Sequence, residues 1–118
     1  MNRRTKATAI PQSVKKKVYE RDNCRCVLCH RWAEPAWACA HYIRRSQGGL
    51  GVEKNILTLC PACHLAFDEG PDKQRLRAYL SEYLSGCYTE WSEEELRYSK
   101  WTEAQPDGSP NGREPSGN

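Results

Sequence analysis

The chain has 118 residues, of which 38% are hydrophobic and 28% are charged, a size that allows one modest domain with extensions. Mean hydropathy is −0.86, and no apolar run approaches the roughly 20 residues of a membrane-spanning helix, so we expect no membrane partner. The first residues, MNRRTKATAIPQS, lack the apolar stretch of a secretion signal. These features predict a cytoplasmic protein with a small core.

Charge is unevenly distributed along the sequence. Before residue 55 there are twelve Lys and Arg and four Asp and Glu, whereas the remainder has six and eleven. A basic half of this strength fits a polyanionic partner, most simply nucleic acid. Uneven charge that serves only solvation is the alternative at this point.

The first half of the chain predicts a mixed α+β unit. Residues 1–9 read as a flexible basic arm, and IPQSVKKKVYERD reads as a short helix with Pro11 in its first turn. Val14 and Val18 lie four apart and share one face of that helix. The segments that follow are predicted in order as cysteine-rich turns (24–32), a strand (36–43), a glycine-containing loop (44–55), a second strand (56–59) and a short helix (61–70).

Residues 71–101 are predicted to form a helical extension packed on the core. Apolar side chains recur there at helical spacing, at Leu76, Tyr79, Leu80, Tyr83 and Leu84. WSEEEL then reads as a second helix start with a capping box and a hydrophobic staple, formed by Trp91, Ser92, Glu95 and Leu96. Residues 102–118 are rich in Pro, Gly and Ser and are predicted to be disordered.

Two cysteine pairs predict a structural zinc site. Cys26 and Cys29 form one C-x2-C knuckle, and Cys60 and Cys63 form another. Two such knuckles supply the four thiolates of a closed tetrahedral Zn²⁺ site. Cys24 could replace Cys26, but the two-residue spacing repeats only with Cys26. The total of seven cysteines argues against a closed set of disulfides, and the lone Cys39 and Cys87 read as small buried apolar residues.

Three polar residues near these knuckles point to hydrolytic chemistry. His41 ends the first predicted strand, and His64 lies on the helix that the second knuckle begins. One ion bound by both knuckles would bring these elements together, and neutral imidazole is a good base near pH 7. Asp68 lies four residues after His64, so both side chains can reach one ion. Taken alone, His41 would more often be an ordinary structural residue. The alternative for His64 is a spare zinc ligand in a Cys3His site, and the alternative for Asp68 is a solvated residue at the helix end. His30 reads as a surface residue.

The sequence IPQSVKKKVYERDNCRCVLC, followed by CAHYIRRSQGGLGVEKNILTLCPACHLAFDEG, resembles HNH endonucleases of the zinc-stapled kind found in bacteria and phages. The resemblance covers about residues 10–70 and depends on His41, Asn55 and His64 interleaved with both knuckles. It implies a small α+β fold with a ββα-metal (His-Me finger) core, an N-terminal helix and C-terminal helices. It also implies metal-dependent hydrolysis of DNA phosphodiester bonds, in a bacterial cell or a phage-infected host.

The resemblance also assigns roles. His41 matches the general base, Asn55 the residue that braces the loop and orients that base, and His64 a ligand of the catalytic metal, which would be Mg²⁺, Mn²⁺ or Ni²⁺. Many members carry a second metal ligand where this chain has Ala40, which cannot coordinate an ion. Asp68 is the candidate replacement, and Cys39 is a weaker one.

The expected partner is DNA, most simply double-stranded. Arg44 and Arg45, together with Lys15, Lys16 and Lys17, are predicted to contact its phosphate backbone, although solvated charge is a serious alternative for the lysines. A homodimer or a phage DNA-processing protein is a further candidate partner. The alternative function is a zinc-stapled nucleic-acid-binding module with weak or absent catalysis.

Overall fold

The computed structural model describes residues 3–98, and these form a small α+β unit. In chain order the helices and strands are α1 (Arg3–Thr8), α2 (Gln12–Arg21), β1 (Ala40–His41), β2 (Ile56–Leu57), α3 (Pro61–Glu69) and α4 (Lys73–Cys87). The two strands pair antiparallel, with Ala40 opposite Leu57 and His41 opposite Ile56. The small α+β class expected from the sequence is therefore confirmed.

The first strand is shorter than predicted. Residues 36–43 were expected to be extended, but Pro35–Trp37 form a 3-10 turn, and only Ala40 and His41 pair with the second strand. The proline lies in the first turn of that 3-10 segment, where its fixed φ favours turning. Within the predicted strand, only Ala40 and His41 therefore have strand conformation.

The helix predicted before the first knuckle is confirmed as α2. Pro11 stands at its N-cap with extended backbone angles, and Val18 is fully buried. Val18 packs in a small cluster with Ala38 and Ile56, and Ile10 and Val14 lie against that cluster. The Val14 and Val18 face expected from their spacing is the face that packs on the strands.

The N-terminal segment differs from the prediction. In place of a flexible arm over residues 1–9, Arg3–Thr8 form the helix α1, which is held by contacts distant in sequence. The Gly51 amide donates to the Ala7 carbonyl at 3.0 Å, and Arg45 donates to the Thr5 carbonyl at 3.3 Å. The segment has little apolar periodicity, so its order comes from hydrogen bonds to the loop that it covers.

The larger core lies between the strands and the two later helices. Its fully buried members include Ile43 and Leu57 from the strand region and Leu80 and Leu84 from α4. The extension predicted to pack on the core does so through α4, which spans 15 residues. Tyr79, predicted on the same apolar face, is instead 45% exposed. No helix between residues 3 and 98 combines the length and apolar character needed to cross a bilayer.

The capping box predicts a second helix, but the structure has one 3-10 turn, Glu93–Leu96. The Ser92 hydroxyl accepts from the Glu94 amide at 3.3 Å, not from Glu95. Leu96 is buried in the core, and Arg97 then pairs with Gly49 in an isolated bridge, so the chain leaves the helical conformation at once. The disorder predicted for residues 102–118 lies outside the described residues.

Candidate functional site

The four predicted cysteine ligands come together at one point. The sulfur atoms of Cys26, Cys29, Cys60 and Cys63 all lie within 4.8 Å of one another. The first pair lies in the turn after α2, and the second begins α3, with Cys60 as its N-cap. Four thiolates at this separation can bind one metal ion, so metal binding at this cluster is supported as the sequence predicted.

The two knuckles share one backbone geometry. The Cys29 amide lies 3.5 Å from the Cys26 sulfur, and the Cys63 amide lies 3.5 Å from the Cys60 sulfur. One residue further along, the His30 amide donates to the Cys26 carbonyl at 2.9 Å and the His64 amide to the Cys60 carbonyl at 2.8 Å. Each turn therefore presents two sulfur atoms to the same side while its amides stabilise negative charge on the first sulfur.

The four cysteine thiols influence one another's pKa values. Burial and then hydrogen bonding with the Cys60 and Cys26 thiols raise the pKa of Cys63. Burial also disfavours the thiolate of Cys29, but hydrogen bonds from the Arg31 backbone and the neighbouring thiols outweigh it and lower that pKa to about 7. The neighbouring thiols therefore favour the thiolate of Cys29 and disfavour the thiolate of Cys63, whereas a bound metal cation would favour all four thiolates.

The remaining cysteines lie apart from this cluster. Cys24, the alternative to Cys26, is not among the four grouped sulfurs, and its amide donates to the Tyr19 carbonyl at 3.0 Å. Cys39 lines a separate cleft. Cys87 is exposed, in place of the buried position expected for it.

Both predicted histidines reach a single cleft. We call it the histidine cleft, and it has a volume of about 330 Å³. Its lining residues are Cys39, His41, Arg44, Arg45, Ser46, His64, Asp68 and Glu69. His41 comes from β1 and His64 from α3, whose first residues follow the Cys60 cap.

The His41 ring is held by the N-terminal segment. Its Nε2 lies 2.9 Å from the Thr8 carbonyl oxygen, which can only accept a hydrogen bond. Nε2 therefore carries the proton, and Nδ1 is the basic nitrogen of the neutral ring. Burial lowers the pKa of His41, and the charges of Arg45 and His64 lower it further, against the opposing effect of the Thr8 carbonyl. The ring is neutral near pH 7.

Asn55 holds the loop between the two strands. The residue is fully buried, and its Oδ1 accepts from the Ile43 amide at 2.8 Å. Its Nδ2 donates to the Ile43 carbonyl at 3.2 Å and to the Leu50 carbonyl at 2.8 Å. These three bonds hold Ile43 and Leu50 on either side of the loop segment that carries Arg44 and Arg45, which lie three and four residues beyond His41.

His64 and Asp68 lie side by side on α3. Their Nε2 and Oδ2 atoms are 3.5 Å apart, and about a third of each side chain is exposed, 34% and 38%. Both side chains line the histidine cleft, and one ion could contact both donors. Among residues 3–98, however, only the four cysteines form a set of three or more candidate ligands, so this pair offers two donors and leaves other positions to water or substrate.

The predicted basic residues fall into two groups. Arg44 and Arg45 line the histidine cleft, where Arg44 donates to the Asp68 carbonyl and Arg45 donates to the Thr8 hydroxyl at 3.2 Å. Lys15 and Lys16 line a different cleft beside α2, and Lys17 lies 3.9 Å from Glu53. The structure thus brings the arginines, and not the lysines, next to the histidines.

Two features of the site have no local signal in the sequence. The Thr8 carbonyl contacts His41 across 33 residues. The one related signal in the sequence is Gly51, because a Cβ at that position would overlap the carbonyl of Ala9, next to Thr8. The second feature is Asp22, which is 6% exposed and accepts from the Thr58 amide at 2.9 Å and from Arg21 at 2.8 Å. It links α2 to the segment just before Cys60.

No protein-family model matches the chain, and no solved structure matches it. Among curated proteins, anaredoxin from Nostoc sp. strain PCC 7120 is 32% identical over 60 residues. The match spans 50% of this chain and 76% of anaredoxin. At that identity and coverage, the chain belongs to the same family as anaredoxin.

Proposed function

We propose that the protein is a metal-dependent endonuclease of the HNH type that hydrolyses DNA phosphodiester bonds in the cytoplasm. The observation that carries this proposal is the histidine cleft, in which His41 and His64 meet from different elements beside two arginines. The order β1, β2, α3 is compatible with the ββα-metal core of that family. A cleft with a neutral histidine, a histidine–carboxylate pair and guanidinium groups suits phosphodiester hydrolysis.

His41 is the general base. Its Nε2 proton is held by the Thr8 carbonyl at 2.9 Å, so Nδ1 is free to accept a proton from the attacking water. Burial and the neighbouring cationic groups keep its pKa below the ordinary value, and the base is therefore in its active, neutral form at pH 7. Asn55 contributes indirectly, since it fixes the loop that begins at Ile43.

His64 and Asp68 are the residues that would hold the catalytic ion. An imidazole nitrogen and a carboxylate oxygen 3.5 Å apart fit a divalent cation such as Mg²⁺, Mn²⁺ or Ni²⁺. When bound, such an ion supplies charge stabilisation for the phosphate and the leaving oxygen. Asp68 thereby takes the place of the ligand that Ala40 cannot provide, and Arg44 and Arg45 bind the phosphate oxygens.

We assign the four-cysteine site to a structural Zn²⁺. Cys26 and Cys60 are almost completely buried, and four thiolates fill a tetrahedral shell and leave no open position for substrate. The site joins the turn after α2 to the start of α3. Zinc there would therefore fix His64 relative to the strands.

The proposal is tested by plasmid nicking with Mg²⁺, Mn²⁺ or Ni²⁺ added in turn. We expect wild-type protein to nick the plasmid only with added metal, and His41→Ala to lose at least 100-fold in rate, on the order of a lost general base. His30→Asn is the matched control, because His30 is exposed with a φ of 68°, a conformation that asparagine tolerates. Equal nicking by wild type and His41→Ala refutes the assigned base, and DNA binding without nicking favours a non-catalytic module.

An electron carrier is the second candidate, favoured by the name anaredoxin together with the four-thiolate site. Four thiolates also suit iron. Metal analysis and visible absorption of the purified protein separate the two assignments. One colourless zinc per chain supports the structural site, whereas bound iron with reversible reduction supports the carrier.

A further inference from the structure

A second cleft adjoins the first and is strongly basic. We call it the basic cleft, and it has a volume of about 310 Å³. Its polar lining consists of Arg44, Gln47, Lys73, Gln74, Arg77 and Arg97. No Asp or Glu is among the described residues that line it. The four cations come from the loop after β1, from α4 and from the segment after the last 3-10 turn, so the cleft exists only in the folded chain.

These cations are held mostly by neutral partners. Arg77 lies over the Tyr42 ring with its guanidinium carbon 4.5 Å from the ring centroid, and it donates to the Tyr42 carbonyl at 3.3 Å. Arg77 also lies 4.0 Å from the carboxylate of Glu93. Arg97 donates to the Gln47 carbonyl at 3.5 Å. Backbone carbonyls and an aromatic face orient these guanidinium groups, and only the 4.0 Å pairing of Arg77 with Glu93 offsets part of their charge, so most of it is available to an anion.

The start of α4 adds to the positive character. Lys73 and Gln74 are the first two residues of this 15-residue helix. The free amides and the dipole at a helix N-terminus favour negative charge. Asp72 lies just before α4 but is paired with Arg75 at 3.1 Å, so it does not cancel the charge of Lys73.

The two clefts are joined by one residue. Arg44 lines both the histidine cleft and the basic cleft, and a ligand that leaves the histidines on this side meets the cations of α4 next. A chain of phosphates fits a run of guanidinium groups, since each can pair with phosphate oxygens through two hydrogen bonds. Gln47 and Gln74 add neutral donors of the kind that contact DNA phosphates and sugars.

We propose that the basic cleft binds the phosphodiester backbone of DNA next to the phosphate held in the histidine cleft. This inference rests on the proposed function and assigns part of substrate binding to residues 73–97, outside the segment that resembles HNH enzymes. Arg44 is the shared contact. Lys73, Arg77 and Arg97 hold the flanking phosphates and set the register of the strand.

The test measures binding apart from cleavage. A fluorescent duplex of about 30 base pairs, long enough for several phosphate contacts, is titrated with the His41→Ala protein in the absence of added divalent metal. The variant Lys73→Gln/Arg97→Gln removes two exposed cations of the cleft. The control Arg25→Gln/Arg31→Gln removes two exposed cations that line neither cleft, and circular dichroism checks that every protein is folded.

We expect the cleft variant to weaken binding about tenfold and to make the slope of log K against log salt shallower by about 2, because each lost phosphate contact contributes about 0.9. The control variant should change affinity less than twofold. If the cleft variant and the control variant lose the same affinity for the duplex, the proposal is overturned. The proposal is also overturned if polyglutamate displaces the labelled duplex as well as unlabelled DNA of equal charge does.

The outcomes also separate this inference from the proposed function. If wild-type protein never nicks DNA but the cleft variant loses affinity as expected, the basic cleft stands as a DNA site and the nuclease assignment fails. If nicking depends on His41 while the cleft variant binds like the control, the nuclease assignment stands and the basic cleft fails.

Discussion

Asn55→Ala should be among the most damaging single substitutions in the strand region. The side chain is fully buried and makes three hydrogen bonds to backbone groups of Ile43 and Leu50. Each such bond contributes about 0.5–1.5 kcal/mol net, and a buried partner left without a bond costs more. The loss should therefore be about 3 kcal/mol, a large part of the roughly 5–15 kcal/mol that stabilises a domain.

The free energy of unfolding is measured by urea denaturation of the metal-loaded protein, followed by tryptophan fluorescence. For a domain of this size, about 3 kcal/mol corresponds to a melting temperature lower by about 12–24 °C. Nicking should fall as well, even well below the melting temperature, because the loop that carries Arg44 and Arg45 loses its attachment at both ends.

Thr58→Val is the matched control. Thr58 is equally buried, but its hydroxyl has no hydrogen-bond partner within residues 3–98. Replacing it with a methyl group removes an unsatisfied polar atom at nearly constant volume, so stability should be unchanged or slightly higher. A loss below about 1 kcal/mol for Asn55→Ala, less than a single net hydrogen bond, would refute the brace that we assign to this residue.

Three further predictions concern the metals and the base. Cys60→Ser should abolish stoichiometric metal binding and cooperative unfolding, because ligand binding and folding are coupled. The control Cys87→Ser, at an exposed position outside the cluster, should change neither. Mass spectrometry measures the metal bound to each protein. The rate of nicking should fall as pH decreases through the pKa of His41, which lies below its ordinary value, so the acid limb should lie below pH 6.5; a limb centred above that value contradicts the assignment. Asp68→Asn should raise the Mn²⁺ concentration for half-maximal nicking by about tenfold or more, and an unchanged metal requirement would show that Asp68 is not a ligand.

The parts of the fold that follow local rules could be predicted. Apolar residues at helical spacing identify α2 and α4, and the two C-x2-C knuckles identify the metal cluster with the correct choice of Cys26. Each helix and each knuckle depends on residues within a few positions of one another, where backbone geometry alone limits the outcome, whereas the meeting of the two knuckles is a contact across 31 residues.

The wrong predictions arose where distant contacts overrode local preference. The capping box at Ser92 gave only a 3-10 turn because Leu96 is drawn into the core and Arg97 pairs with Gly49. The N-terminal segment, with little apolar periodicity, became α1 because the inter-strand loop offers hydrogen-bond partners. Neither effect can be read from neighbouring residues.

For this protein the amino-acid sequence by itself determined which chemistry is available: four thiols in two knuckles, two histidines, a helical Asp68 and a basic first half. Only the tertiary structure decided which of these groups meet. It placed His41 and His64 in one cleft, left Lys15–Lys17 outside it, and joined Arg44 to cations 29 or more positions away in the chain. The physical reason is that spacing fixes geometry only within an element, whereas the approach of separate elements depends on how their buried faces and hydrogen bonds are satisfied together.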